Sequence, residues 1–175
     1  MANKIQSFPY SAHRNAKVLI LGSMPGEESL RQQQYYAHPR NLFWDFTGEL
    51  FGASRELPYE KRLAILRKSG VALWDVAHTC RRQGSLDANM TGVEANNFTA
   101  LFKFAPEIHT VFFNGQTAAK LFHRLVVPEL NSSAAGGRSR RLKFIILPST
   151  SPANASVSRE NKFAEWKKIL KALGN

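Results

Sequence analysis

Four short apolar runs limit what this chain can fold into. They are KVLILG at 17–22, VALWDV at 71–76, IHTVFFNG at 108–115 and LKFIILP at 142–148. Each has about the length of one strand. None alternates cleanly between apolar and polar, so each reads as a strand covered on both faces, the habit of parallel sheets. Helical spacing fills the intervals. Residues 41–52 open on Asn and close on Gly, and 58–70 run from Pro to Gly. Residues 96–105 follow, and in 115–126 Ala118, Leu121, Phe122 and Leu125 make one apolar stripe. In 159–173, Phe163, Trp166 and Leu170 share a face, with lysines largely opposite. The alternation predicts an α/β fold, a three-layer α/β/α sandwich around a central, mostly parallel four-stranded sheet.

A chain of 175 residues can bury one core, so a single domain over 1–175 is expected. The N-terminus lacks the apolar stretch of a secretory signal, and the apolar runs fall short of a membrane span. The sole cysteine, Cys80, excludes an intrachain disulfide, a four-thiolate cluster and a Cys-based zinc site. The five histidines, His13, His38, His78, His109 and His123, show no metal spacing. We expect a cytoplasmic monomer with no metal and no cofactor.

Charge narrows the partner. Lys and Arg number 24 against 13 Asp and Glu, a net charge of +11 and a pI near 10.2. Such a field favours polyanions. The cations also clump, at Arg81–Arg82, at Arg138, Arg140, Arg141 and Lys143, and at Lys162, Lys167, Lys168 and Lys171. Clumping points to phosphate contacts. The segment NSSAAGGRSRR at 131–141 reads as a basic loop, either a solvated connection or a DNA-backbone contact.

In open parallel sheets, ligands bind beyond the carboxyl ends of the strands. Four segments qualify: 22–41, 77–91, 114–116 and 148–158. None carries a familiar nucleotide or nucleophile motif. GSMPG lacks the Gly-Lys-Ser/Thr of a phosphate loop and the third Gly of a dinucleotide fingerprint. PSTSP lacks the Gly-x-Ser-x-Gly elbow.

Three strings together, LILGSMPG, YYAHPRNLFW and LPSTSPANA, resemble the uracil-DNA glycosylase superfamily. With WDVAHTCRRQGSLDANM after the second apolar run, the closer resemblance is to the hypoxanthine-DNA (deoxyinosine) glycosylase branch. It spans nearly the whole chain, from Val18 to about Lys168. It implies a monofunctional DNA glycosylase acting in base excision repair. Such an enzyme flips a deaminated base out of single- or double-stranded DNA and hydrolyses its N-glycosidic bond. Hypoxanthine is the first expected base, with uracil and xanthine as further ones. The alternative is a DNA-binding module that keeps the fold without the chemistry, because Met24 stands where mismatch uracil glycosylases place a water-holding Asn.

By the same resemblance, Tyr36 is the platform that stacks on the flipped base, and Ser23 and Met24 border it. Asn41 takes over the water, although its amide could equally cap the following helix. Asn114, at the end of the third run, could read the paired acceptor and N–H donor that hypoxanthine and uracil share, or bond nearby backbone. Ser149, Thr150, Ser151 and Asn154 are expected on DNA phosphates, with Pro152 and Ala153 as a small wedge. His38 would touch a phosphate or support its loop. Asp75 and Asp87 could orient either the pocket loop or the base.

Overall fold

The computed structural model describes residues 2–132 and 138–174, apart from the side chains of residues 138 and 140. Residues 133–137 of the basic segment therefore lie outside the described residues. The four apolar runs become four parallel strands: β2 (Val18–Gly22), β3 (Val71–Asp75), β6 (Thr110–Asn114) and β7 (Lys143–Leu147), in the order β3–β2–β6–β7. Phe112 and Phe113 are neighbours on β6 and both are fully buried. Successive strand residues face opposite sides of a sheet, so helices must cover both faces.

On one side, Phe98, Phe113, Phe122 and Phe144 form a chain of ring contacts with centroids 5.1–6.0 Å apart. They belong to α4 (Phe98–Phe104), β6, α5 (Gln116–Leu125) and β7. A second aromatic group joins α2 (Phe43–Phe51) to α7 (Arg159–Trp166), where Trp166 meets Phe43 at 5.8 Å and Phe46 at 5.7 Å. Trp166 also donates its indole N–H to the Pro148 carbonyl at 3.0 Å, tying α7 to the chain just beyond β7. The expected final helix is two: α7 stops at Trp166 and α8 (Lys168–Leu173) restarts after Lys167.

One part of the architecture has no apolar run to announce it. β1 (Asn3–Gln6), β4 (Ala77–Arg82) and β5 (Thr91–Ala95) make an antiparallel three-stranded sheet, in the order β1–β4–β5. The segment 77–91, expected as a loop, thus opens as β4, leaves the sheet over 83–90 and enters β5 at Thr91. β4 follows β3 after the single residue Val76. The buried Asn96 holds this junction, donating its amide to the Asp75 carbonyl at 2.8 Å and the Ala77 carbonyl at 3.1 Å.

The remaining helices are α1 (Glu27–Gln32), α3 (Tyr59–Lys68) and α6 (Val127–Asn131). From β2 the chain passes to β3 on one side, then crosses to β6 on the other side of β2. The carboxyl ends of β2 and β6 therefore flank the switch point where open α/β sheets take ligands.

Removing the Trp166 side chain should cost about 3–5 kcal/mol, the usual range for a fully buried aromatic cut to Ala. Urea unfolding of Trp166→Ala by circular dichroism measures this; a midpoint equal to the parent's would contradict the placement of this indole.

Candidate active site

A cavity of about 760 Å³ opens at that switch point. Its walls come from three stretches far apart in the chain: the turn after β2 with the loop that follows α1, the tip of the β4–β5 hairpin, and the loop after β7.

The floor is set by Gly22, the last residue of β2. Gly22 is in register with Asp75 at the end of β3. A Cβ on Gly22 would lie 2.4 Å from Asp75 Oδ1 and 2.8 Å from the Tyr36 hydroxyl. The missing side chain is what lets these two groups converge. Tyr36 reaches this point with φ of +54°, a conformation that non-glycine residues rarely adopt. Its ring stacks on Phe43 at 4.0 Å and borders the cavity. The hydroxyl lies beside Asn114 and Asp75, yet no described residue meets hydrogen-bond geometry with it. Burial first, then the Asp75 charge, hold this phenol well above its ordinary pKa. Tyr35 is buried as an anchor, with its hydroxyl donating to the Pro9 carbonyl at 2.8 Å and its own carbonyl accepting from the Trp44 indole at 2.8 Å.

Asp75 is 3% exposed, and its Oδ2 is buried with no hydrogen-bond partner among the described residues. Desolvation, then repulsion from Asp87, push its carboxyl up to about 7, while Arg82 pulls the other way. Asp87 is raised as well, by burial, although it accepts the Ser23 hydroxyl at 2.8 Å on both oxygens.

The hairpin tip is stapled to the turn after β2. Besides the Ser23–Asp87 bond, Ser85 Oγ accepts the Glu27 amide at 2.8 Å. The buried Arg82 donates to the Gly84 carbonyl at 2.8 Å and to the Pro25 carbonyl. Arg82 therefore does not serve DNA phosphates, as its clump suggested. Lys162 is likewise buried, donating to the Asn154 carbonyl beneath the loop after β7.

Two expected site residues are bonded to each other. Asn114 donates to Thr150 Oγ1 at 2.8 Å and accepts the Thr150 amide at 2.9 Å. That pair uses one Nδ2 proton and one Oδ1 lone pair, so Asn114 braces the loop after β7 and keeps one donor and one acceptor. Thr150 is fully buried and cannot reach a phosphate. Ser149 and Ser151 use their oxygens to accept the amides of Ser151 and Ala153, both at 3.2 Å, which leaves each O–H proton free to donate. Pro152 and Ala153 are exposed at the rim.

Asn41 borders the cavity, and its Oδ1 accepts the Phe43 amide at 3.0 Å. The amide thus tightens the entry to α2 and keeps its Nδ2 donors. His38 borders the mouth, its Nδ1 accepting the Arg40 amide at 3.1 Å. Ser23 borders the cavity with its proton committed to Asp87. Met24 also borders it, but is buried in a small cluster with Ala77 and Cys80. A methionine there thus has a packing reason. Leu86, which composition gave no reason to notice, is 57% exposed at the hairpin tip and borders the same cavity.

The sequence profile of the Uracil DNA glycosylase superfamily matches residues 8–174. A hypoxanthine DNA glycosylase from Methanosarcina acetivorans is 34% identical over 167 residues, 95% of this chain and 98% of that protein. One from Methanosarcina barkeri is 38% identical over 118 residues, 67% of this chain and 75% of the relative. A solution NMR structure from Methanosarcina acetivorans, assigned provisionally to the uracil DNA glycosylases, superposes with a TM-score of 0.79 at 33% identity. It covers 99% of this chain and 100% of its own.

Because Asp75 binds its proton more tightly in the folded state, its contribution to stability is present at pH 4 and lost as pH rises through about 7. Asp75→Asn removes that loss. Its melting temperature relative to the parent should rise between pH 5 and pH 8.5 in scanning calorimetry. A constant difference would mean that the carboxyl ionises normally.

Proposed function

The chain belongs to the uracil DNA glycosylase superfamily, and from that premise we propose that it excises deaminated bases from DNA, hypoxanthine first, with uracil and xanthine as further substrates. The reading is carried by one meeting: Tyr36, Asn41 and the 149–154 loop line a single cavity at the switch point of a chain with net charge +11. Positive charge gathers the polyanion, and a flipped nucleotide enters the cavity.

Bond cleavage sends the sugar through an oxocarbenium-like state, and water adds to C1′. The parts divide as follows. Tyr36, packed from behind by Phe43, offers a rigid ring for base stacking, worth about 1–3 kcal/mol. Asn41 holds the water through its Nδ2 donors and the remaining lone pair of Oδ1. Ser149, Ser151 and Asn154 take phosphates, with His38 at the mouth. Pro152 and Ala153 fill from one rim.

Leu86 fills from a second rim, the hairpin tip. An exposed leucine beside a base pocket is suited to entering the stack a flipped base has left. The duplex would then be gripped from both loops.

The test uses labelled DNA carrying one inosine, uracil, xanthine or mismatched thymine, followed by alkaline cleavage of abasic sites. Inosine-containing strands should be cut. Binding without cleavage for every lesion would favour the module without chemistry. Asn41→Ala should slow single-turnover excision about 100-fold with DNA affinity retained; full activity would remove Asn41 from the water.

Leu86→Ala should slow excision from a paired duplex about tenfold, the equivalent of ~1.4 kcal/mol, and leave single-stranded substrate within about twofold. Equal losses on both substrates would refute the wedge.

A further inference from the structure

The floor of the cavity holds two polar groups that the proposed chemistry has not used. Asp75 Oδ2 and the Tyr36 hydroxyl are both buried without a hydrogen-bond partner among the described residues. Both residues line the cavity, and Asp75 Oδ1 and the Tyr36 hydroxyl close on the same point above Gly22. A buried polar atom without a partner is costly, and each such case calls for a reason, a catalytic role among them. The nearby Asn114, Ser23 and Thr150 are engaged elsewhere. The Asp75 carboxyl is thus the acid at the floor with an oxygen unbonded among the described residues.

Charge decides in which form Asp75 can meet a base. When the N9–C1′ bond breaks, its electron pair stays on the base, and negative charge spreads over the ring nitrogens and O6. An ionised carboxylate in a poorly solvated floor would oppose that charge. A neutral carboxyl would relieve it. We infer that Asp75 is a catalytic acid, handing its carboxyl proton to the departing base. The balance closes on base, sugar and water alone. The base leaves with the bond pair and the Asp75 proton, water gives hydroxide to C1′, and the proton that water releases restores Asp75. This role rests on the glycosylase reading and adds to it a proton requirement.

The groups facing Asp75 support the assignment. Tyr35 and Tyr36 come from the segment after α1 and Tyr59 from α3, and burial raises the pKa of all three, so they stay neutral at ordinary pH. Asp87, from the hairpin tip, favours the protonated form of Asp75, and Arg82, from β4, opposes it. With these opposed, desolvation is the larger cause and leaves the carboxyl near 7. An acid poised near the working pH is what proton donation needs.

The experiment is a single-turnover pH profile on inosine-containing DNA. The parent rate should fall as pH rises through about 7. Asp75→Asn keeps the shape and a donor but has no transferable proton. Its rate should be about 100-fold lower and flat with pH, with unchanged affinity for the same DNA. Asp87→Asn separates the two acids: the falling limb should persist and move to lower pH, because a like charge has gone. A parent rate that rises through this range would mean a base and overturn the inference. So would a limb that survives in Asp75→Asn, or one that vanishes in Asp87→Asn. No excision by the parent at any pH would instead overturn the glycosylase reading and this inference with it; excision with a flat parent profile overturns the inference alone.

Discussion

The site depends on an absence of atoms at Gly22. β2 must end without a side chain, because the Asp75 carboxyl and the Tyr36 hydroxyl occupy the space a Cβ would take. The consequence runs outward. Tyr36 reaches the floor with a left-handed backbone, and its ring rests on Phe43. Phe43 is held in turn by Trp44 and Trp166, at 4.9 and 5.8 Å. A strained residue persists only where its surroundings over-determine it, and here an aromatic core fixes it from behind.

The walls follow a second rule: polar side chains are spent on bracing loops, so that few remain free. The hairpin tip is bonded to the turn after β2 by Ser23, Ser85 and Arg82. The loop after β7 is tied by Asn114, Lys162 and Trp166. These bonds place the loops that the proposed function needs on a fixed frame, which lowers the ordering cost when DNA binds.

This division explains what the sequence made legible. The four parallel strands and most helices could be read, since burial on both faces demands continuous apolar runs such as VLIL in β2. The antiparallel sheet could not. NKIQ, AHTCRR and TGVEA are polar or mixed, and only their pairing with one another makes them strands. The cavity's residues were legible as positions through motif order, but their roles were not. Asn114 and Thr150 are 36 residues apart, and nothing local in either says that they bond. Arg82 and Lys162 looked like phosphate ligands because clumping is read along the chain, whereas burial is decided across it.

The chain is strongly basic, yet the cavity floor holds Asp75 and Asp87, both with raised pKa. The two signs act at different distances. Exposed cations such as Arg40 and Arg81 act through solvent on the whole polyanion. The acids act only on what passes the rim. A phosphate brought to that floor would lose its water beside the Asp87 charge, whereas an uncharged base would meet no such cost. On the proposed reading, a nucleotide can therefore enter only base first, with its phosphates left on the serine loop. The same buried acids that are costly to the fold would then orient the substrate before any bond breaks.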